Sequence, residues 1–341
     1  MTKDLEKLNI TLTNWIESDK VKLNEKKAIT LLEQAELAIQ KKTSTQKDNK
    51  IWHSFLDYTS KPAYLTKLAN TELLNRWAEV VFKIIQVSQY SLKDLFDQRV
   101  REKQYDILFQ DMSGLGMSQL SYIQVQRHVK EIATVFYHKE PNEPRVAIYC
   151  DNSIESASCD LACLFYDIFD TPLNANFFNK DILSTIFKQV NTNIVVTDTV
   201  QRFTILEEIR KEYKLKFSIF VTDSNIIIKD PEDNFLGEKS KSFSDTEIIA
   251  ILGKRKKKDI SSVATTMFTS GSTGLPKGVS FSIYNLVSKR FARGAALPTI
   301  GSRETMLCYL PLYHTFGRYL EMLGTIYWRG KYVFVGNPSK E

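Results

Sequence analysis

Cysteine is scarce in this chain. Its 341 residues hold four: Cys150, Cys159, Cys163 and Cys308. No C-x-x-C pair and no Cys/His ligand spacing occurs among them, which excludes a disulfide framework and a zinc-ribbon type of fold. Cys159 and Cys163 stand four apart in an apolar stretch of helical pattern and read as buried free thiols. The start, MTKDLEKLNI, lacks the basic segment and apolar run of a secretory leader. No apolar run approaches the roughly 20 residues that a membrane-spanning helix needs. A cytoplasmic, reducing location is the expectation, with no transmembrane segment and with peripheral membrane contact left open. Internal repeats are missing too. Neither sign of charge dominates: the formal net charge is +6. That balance favours small anionic ligands without arguing for nucleic acid. The basic run Lys254–Lys258 has no interleaved aromatics, as a single-strand binding surface would want, and reads as a solvated linker.

What is present is ordinary globular material: 43% hydrophobic and 25% charged residues, with 20 Phe, 15 Tyr and 4 Trp. Residues 1–90 read as a polar, helical extension. Ala28 to Ile39 has an amphipathic pattern, 41–50 reads as a linker, and 71–88 is the clearest helix. There Leu73, Leu74, Trp77, Val80, Val81, Ile84 and Ile85 share one face behind an Asn70 cap. Ser91 and Asp94 open another helix. From about 105 onward short strands alternate with helices. Strands are expected at 107–110, 146–150, 193–197, 217–221, 263–268, 305–310 and 331–335. Helices are expected at 121–136, 154–169, 199–212, 244–252 and 284–292. This order predicts an α/β fold with mostly parallel sheets flanked by helices.

The chemistry concentrates in Thr269-Ser270-Gly271-Ser272-Thr273-Gly274-Leu275-Pro276-Lys277-Gly278, directly after an expected strand. A polyphosphate presents many oxygens that need donors at close range. Glycines let backbone N–H groups approach as an anion nest, and hydroxyls add donors that rotate to suit. Lys277 supplies a positive charge for the β/γ-phosphates or for departing pyrophosphate. The Walker A order G-x-x-x-x-G-K-[ST] is excluded, because the sixth position counted from Gly271 is Pro276.

This segment resembles the signature loop of the adenylate-forming superfamily, which includes acyl-CoA synthetases, peptide-synthetase adenylation domains and luciferases. Further matches follow in order. Ser282 and Asn285 fall where the family often has Ser-His-x-Asn, with Ile283 in place of the His. Cys308-Tyr-Leu-Pro-Leu-Tyr-His-Thr-Phe-Gly317 is similar to the family's Leu-Pro-Leu-aromatic-His motif. Upstream, Arg145–Ile148, Asn152-Ser153, Leu161–Cys163 and Pro172-Leu173-Asn174 resemble an earlier block, in which Tyr166-Asp167 replaces a usual Ala-Gly.

The resemblance covers about 90–341 and is nearest to long-chain acyl-CoA synthetases. It implies that 91–341 is an incomplete AMP-binding large domain, without the C-terminal small domain. It implies nucleotide contacts from Thr269, Ser270, Gly271, Ser272, Thr273, Gly274, Lys277 and Gly278, with Lys277 and His314 as catalytic residues. The implied reaction joins a fatty acid or other carboxylate to ATP, then passes the acyl group to coenzyme A. Mg²⁺ is an implied cofactor, but its usual Thr-Glu motif is not found in 318–341, and no residue here is assigned to metal. Two alternatives stay open: delivery to a carrier-protein thiol, or a non-catalytic nucleotide- or acyl-binding fragment. His53, His128 and His138 lack any motif and read as surface or packing residues.

Overall fold

The computed structural model describes residues 2–17, 22–40, 46–68, 70–112, 118–230, 233–269 and 276–336. Among the described residues eleven strands form two sheets: β1 (Ile107–Asp111), β2 (Ser118–Ser121), β3 (Arg145–Tyr149), β4 (Phe169–Pro172), β5 (Ile194–Thr197), β6 (Ser218–Val221), β7 (Asn234–Phe235), β8 (Val263–Thr269), β9 (Lys277–Ser282), β10 (Thr305–Cys308) and β11 (Lys331–Phe334). The larger sheet runs β7-β6-β5-β3-β4-β8-β9 and the smaller β10-β11-β1-β2. All pairings are parallel except β8 with β9 and β1 with β2. The central strands are apolar because helices cover both faces; all four residues of β5 are buried. The architecture is thus α/β with mostly parallel sheets, as the alternating pattern predicts.

Most expected elements stand where the pattern puts them. The helix Thr71–Ser88 starts as expected: Asn70 Oδ1 accepts from Leu73 N at 2.9 Å. Ser91, Ser121 and Ser244 each open a helix with a capping box. Three expectations change. Residues 41–45 lie outside the described residues, but 46–50 are helical rather than linker, opening the helix Gln46–Thr59. That helix is recruited by Trp52, Phe55 and Leu56, which are buried further along it. The helix expected over 154–169 ends at Phe165, because Asp167 takes a left-handed φ of 61° and turns the chain into β4. The basic run is not simply solvated. Arg255 Nε and the backbone N of Lys258 both approach the Asp167 carboxylate, each at 3.4 Å.

The N-terminal helices share one continuous core with the α/β region, running from Leu5 through Trp77 and Phe291 to Phe334. Trp77 packs on Phe291 with ring centroids 6.2 Å apart. An ionic latch joins the same two regions. Arg99 Nη1 lies 2.5 Å from Asp57 Oδ1, Arg329 Nη2 lies 2.9 Å from the same oxygen, and Arg329 Nε donates to Glu102. Burial alone would raise the Asp57 pKa, but Arg99, Arg329 and Lys61 outweigh it and hold the carboxyl well below the usual range. His53 packs edge-on against Tyr90, His128 Nε2 meets Glu155 at 2.9 Å, and His138 packs on Phe243. Among the described residues no helix is long and apolar enough to cross a membrane.

Candidate active site at the carboxyl ends of the large sheet

The loop motif is carried by a β-hairpin. Thr269 is the last residue of β8 and Lys277 the first of β9, and the two are cross-strand partners. Thr269 Oγ1 donates to the Lys277 carbonyl at 3.4 Å, closing the neck. Ser270, Gly271, Ser272, Thr273 and Gly274 lie outside the described residues. Both Thr269 and Lys277 are exposed at the neck. Gly278 has a steric reason to be glycine: a Cβ there would stand 2.8 Å from Thr266 Cγ2 and 3.2 Å from Phe268 Cε1. The next helix, Ile283–Ala296, begins at a full capping box between Ser282 and Asn285. The Ile283 departure from the family pattern therefore leaves the helix start intact.

The second motif folds as a turn followed by a π-helix, Phe316–Met322, a geometry that recurs at functional sites. His314 is exposed. Its backbone N donates to Pro311 O at 2.9 Å, and its ring stacks on Phe316 at 6.1 Å between centroids. Gly317 lets the turn close on itself, since a Cβ would meet the Pro311 and Leu310 carbonyl oxygens at 2.5 and 2.6 Å. Tyr313, Thr269, Pro276, Leu173 and Asn174 line a small cavity of about 140 Å³ at the carboxyl ends of β4 and β8. Ligands of open parallel sheets bind at this end. All three motif blocks thus converge on one place. His314 and Lys277 stand on its rim rather than in its lining. A larger cavity, about 680 Å³, sits at the opposite end, where Arg145 and Phe169 start their strands.

Two residues that hold this site were given no role from sequence, although Asn152 belongs to the upstream block that resembles the family. Asn152 bridges the first and last motifs: its Nδ2 donates to Leu310 O at 3.0 Å and its Oδ1 accepts from Leu312 N at 2.9 Å. Arg318, fully buried, anchors the π-helix to the large sheet. It donates to Asp160 at 3.0 Å through Nε, to Thr265 Oγ1 at 2.7 Å through Nη1, and to Asp170 through Nη2. Burial works against its charge, but Asp160 and Asp170 outweigh it and raise the pKa further. Burial also pushes Asp160 well up against the pull of Arg318, and Asp170 adds to that rise. An arginine four residues after His314 in an apolar stretch was the available signal.

The sequence matches the family described as AMP-binding enzyme over residues 96–340. The chain belongs to this AMP-binding enzyme family. Among its relatives are long-chain-fatty-acid–CoA ligase 5 of Rattus norvegicus and long chain acyl-CoA synthetase 8 of Arabidopsis thaliana. The first is 28% identical over 221 residues, covering 59% of this chain and 31% of that protein. The second is 27% identical over 179 residues, covering 51% and 24%. The chain thus spans about a third or less of the length of these relatives. ATP-bound MatB of Rhodopseudomonas palustris superposes with a TM-score of 0.57 at 19% identity, over 73% of this chain and 46% of that one. The anthranilate CoA ligase AuaEII with anthranoyl-AMP gives 0.60 at 12% identity, over 72% and 44%. At such identity these structures show a shared fold. For an AMP-binding enzyme a divalent cation is the implied cofactor. Among the described residues no group of three or more His, Cys, Asp or Glu side chains could hold one.

Proposed function

We propose that this AMP-binding chain carries the nucleotide-phosphate side of an ATP-dependent fatty acid–CoA ligase. The observation that carries the reading is the convergence of the Thr269–Lys277 hairpin neck with Tyr313 and the Pro172–Asn174 turn at one end of the large sheet. In this reading a carboxylate oxygen attacks the α-phosphorus of ATP. The P–O bond to the β-phosphate breaks, giving an acyl-adenylate and pyrophosphate. A coenzyme A thiolate then attacks the acyl carbon and AMP leaves. The first step brings an anion to a polyanion, so positioning and charge neutralisation dominate it. Lys277, held at the neck by β9, would meet charge on the leaving pyrophosphate. His314, on a turn anchored by Asn152 and Arg318, would serve the acyl side in this reading. The fatty-acid choice is supported by the long-chain ligase relatives. A reducing, cytoplasmic setting fits four buried free thiols.

The test is carboxylate-dependent ATP–pyrophosphate exchange, run on this chain with Lys277→Ala alongside. Exchange with long-chain fatty acids that falls about 100-fold or more in the variant supports the reading. Turnover confined to amino or aryl acids would sink the fatty-acid assignment.

A further inference from the structure

A basic cavity of about 680 Å³ opens at the amino ends of β3 and β4. Its volume falls within the roughly 300–1,000 Å³ typical of small-molecule sites. It shares no lining residue with the small cavity beside the hairpin neck, and of the phosphate-loop motif only Gly278 reaches it among the described residues. Lys256, Lys257 and Lys258 form one wall, in the connection between the helix Asp245–Gly253 and β8. Val190 and Val263 supply apolar surface.

The charged groups around the cavity are unevenly satisfied. Its three carboxylates are all engaged. Asp167 accepts from Arg255 Nε and from the backbone N of Lys258, both at 3.4 Å. Glu143 accepts from Arg145 Nη1 at 2.8 Å, and Asp259 from Ser261 N at 2.8 Å. Arg145 is satisfied as well: its Nε donates to Val190 O, and its guanidinium lies 4.1 Å from the centre of the Phe169 ring. The three lysines differ. None of their ammonium groups makes a hydrogen bond or ion pair with another described residue. Lys256 and Lys257 are exposed, but Lys258 is half-buried. Burial lowers its pKa; Asp167 and Glu143 pull it back only in part, and Arg145 deepens the fall. A cation partly stripped of water and left without a partner favours an arriving anion. The three amines belong to residues within two steps of each other, at most about 7 Å of chain. They suit a group with more than one negative charge and several acceptor oxygens better than a single carboxylate. A concave wall of one sign also concentrates such a ligand.

We infer that this cavity binds a small organic phosphate ester: its dianionic phosphate is held by Lys256, Lys257 and Lys258, and its organic part lies against Val190 and Val263. The inference stands on the cavity's own chemistry and does not require the reaction proposed above. A bare phosphate ion would leave most of the volume unfilled, which is why an ester is the expected occupant.

Affinity labelling of the 341-residue chain with pyridoxal 5′-phosphate tests it, since this probe is itself a small phosphate ester. Its aldehyde condenses with a neutral lysine amine, losing water to give an imine. Borohydride then adds hydride to the imine, leaving a stable secondary amine that peptide mass spectrometry locates. Label should concentrate on Lys258, about tenfold faster than with pyridoxal, which lacks the phosphate. Phenyl phosphate should protect Lys258, while benzoate and inorganic phosphate at the same concentration protect at least about tenfold less well. The exposed pair Lys256→Gln/Lys257→Gln, checked for folding by thermal melts, should slow labelling of Lys258 by about threefold or more. Lys277→Ala should change it by less than about twofold, because the hairpin neck is a separate site. Equal labelling by pyridoxal, or label spread evenly over the exposed lysines, overturns the proposal. So does protection by inorganic phosphate or by a DNA oligonucleotide as strong as that by phenyl phosphate, or an unchanged rate in the folded Lys256→Gln/Lys257→Gln variant.

Discussion

The rim of the candidate active site and the buried ion networks are built on opposite principles. On the rim, Thr269, Lys277 and His314 are exposed and held mainly by their backbones. In the networks, Arg318 and Arg99 are fully buried, and each is gripped by side chains from distant parts of the chain. A group that must meet a ligand keeps its polar atoms free for it. A group that must hold geometry has its polar atoms already satisfied. The rim should therefore fail in activity when altered, and the networks should fail in stability.

Breaking the networks gives the largest expected effects. Arg318→Met would leave Asp160 and Asp170 buried without their cation, at a cost of about 3–5 kcal/mol. A denaturant midpoint unchanged from wild type would show that the π-helix does not depend on this anchor. Asp57→Asn removes the carboxylate shared by Arg99 and Arg329 and should cost about 2–3 kcal/mol. Because the folded Asp57 pKa is depressed, its contribution is present above the ordinary carboxylate range and lost as pH falls through the folded value. The Asn variant should thus lose its deficit relative to wild type in strong acid. A difference between the two that is constant with pH would argue against the ionic latch.

On the rim the pattern reverses. Lys277→Ala should change the unfolding free energy by less than about 0.5 kcal/mol, as expected for an exposed side chain, while removing most pyrophosphate exchange. A large fall in melting temperature with normal exchange would invert the comparison. His53 gives a smaller, pH-dependent effect. Burial, only partly opposed by Asp94, lowers its pKa, so the folded state holds it neutral. Stability then declines as pH drops below about 6.5 and continues down to the folded pKa. His53→Phe should flatten that slope in melts between about pH 7 and 5; an unaltered slope would place the proton uptake elsewhere. The smallest effect belongs to Asp167→Gly. Glycine relieves the left-handed backbone but forfeits the Arg255 contact, so the net should stay within about 1 kcal/mol of wild type. A larger loss, read by the same melts, would mean that the Arg255 contact matters more than an ordinary half-exposed ion pair.

The helices and strands were legible where local signals were strong. Asn70, Ser91, Ser121 and Ser244 announce their helices because capping chemistry spans only three residues. The buried faces of 71–88 and of β5 follow from period and apolarity alone. The helix Gln46–Thr59 was partly missed because its first turn is polar and its apolar residues matter only once the Arg99 region packs against them. The end of the helix at Phe165 was missed because Asp167 carries no glycine signal, although its backbone adopts the conformation that a glycine favours. Of the candidate site, the hairpin and the Leu-Pro-Leu-Tyr-His turn were visible as motifs. Asn152 was visible as part of the upstream block, but its role was not, and Arg318 was not visible at all, because each acts on residues roughly 50 to 160 positions away.

The chain's sequence by itself determined the class of fold, the phosphate-loop chemistry and the family, since periodicity, caps and a ten-residue motif are all local patterns. Tertiary structure alone decided that the N-terminal helices share the α/β core, that three separated motifs meet at one end of a sheet, and which buried arginines find a carboxylate. Those outcomes depend on distances between residues remote in the chain. Only packing sets such distances, and in the low-dielectric interior a buried charge separated from its partner is costly.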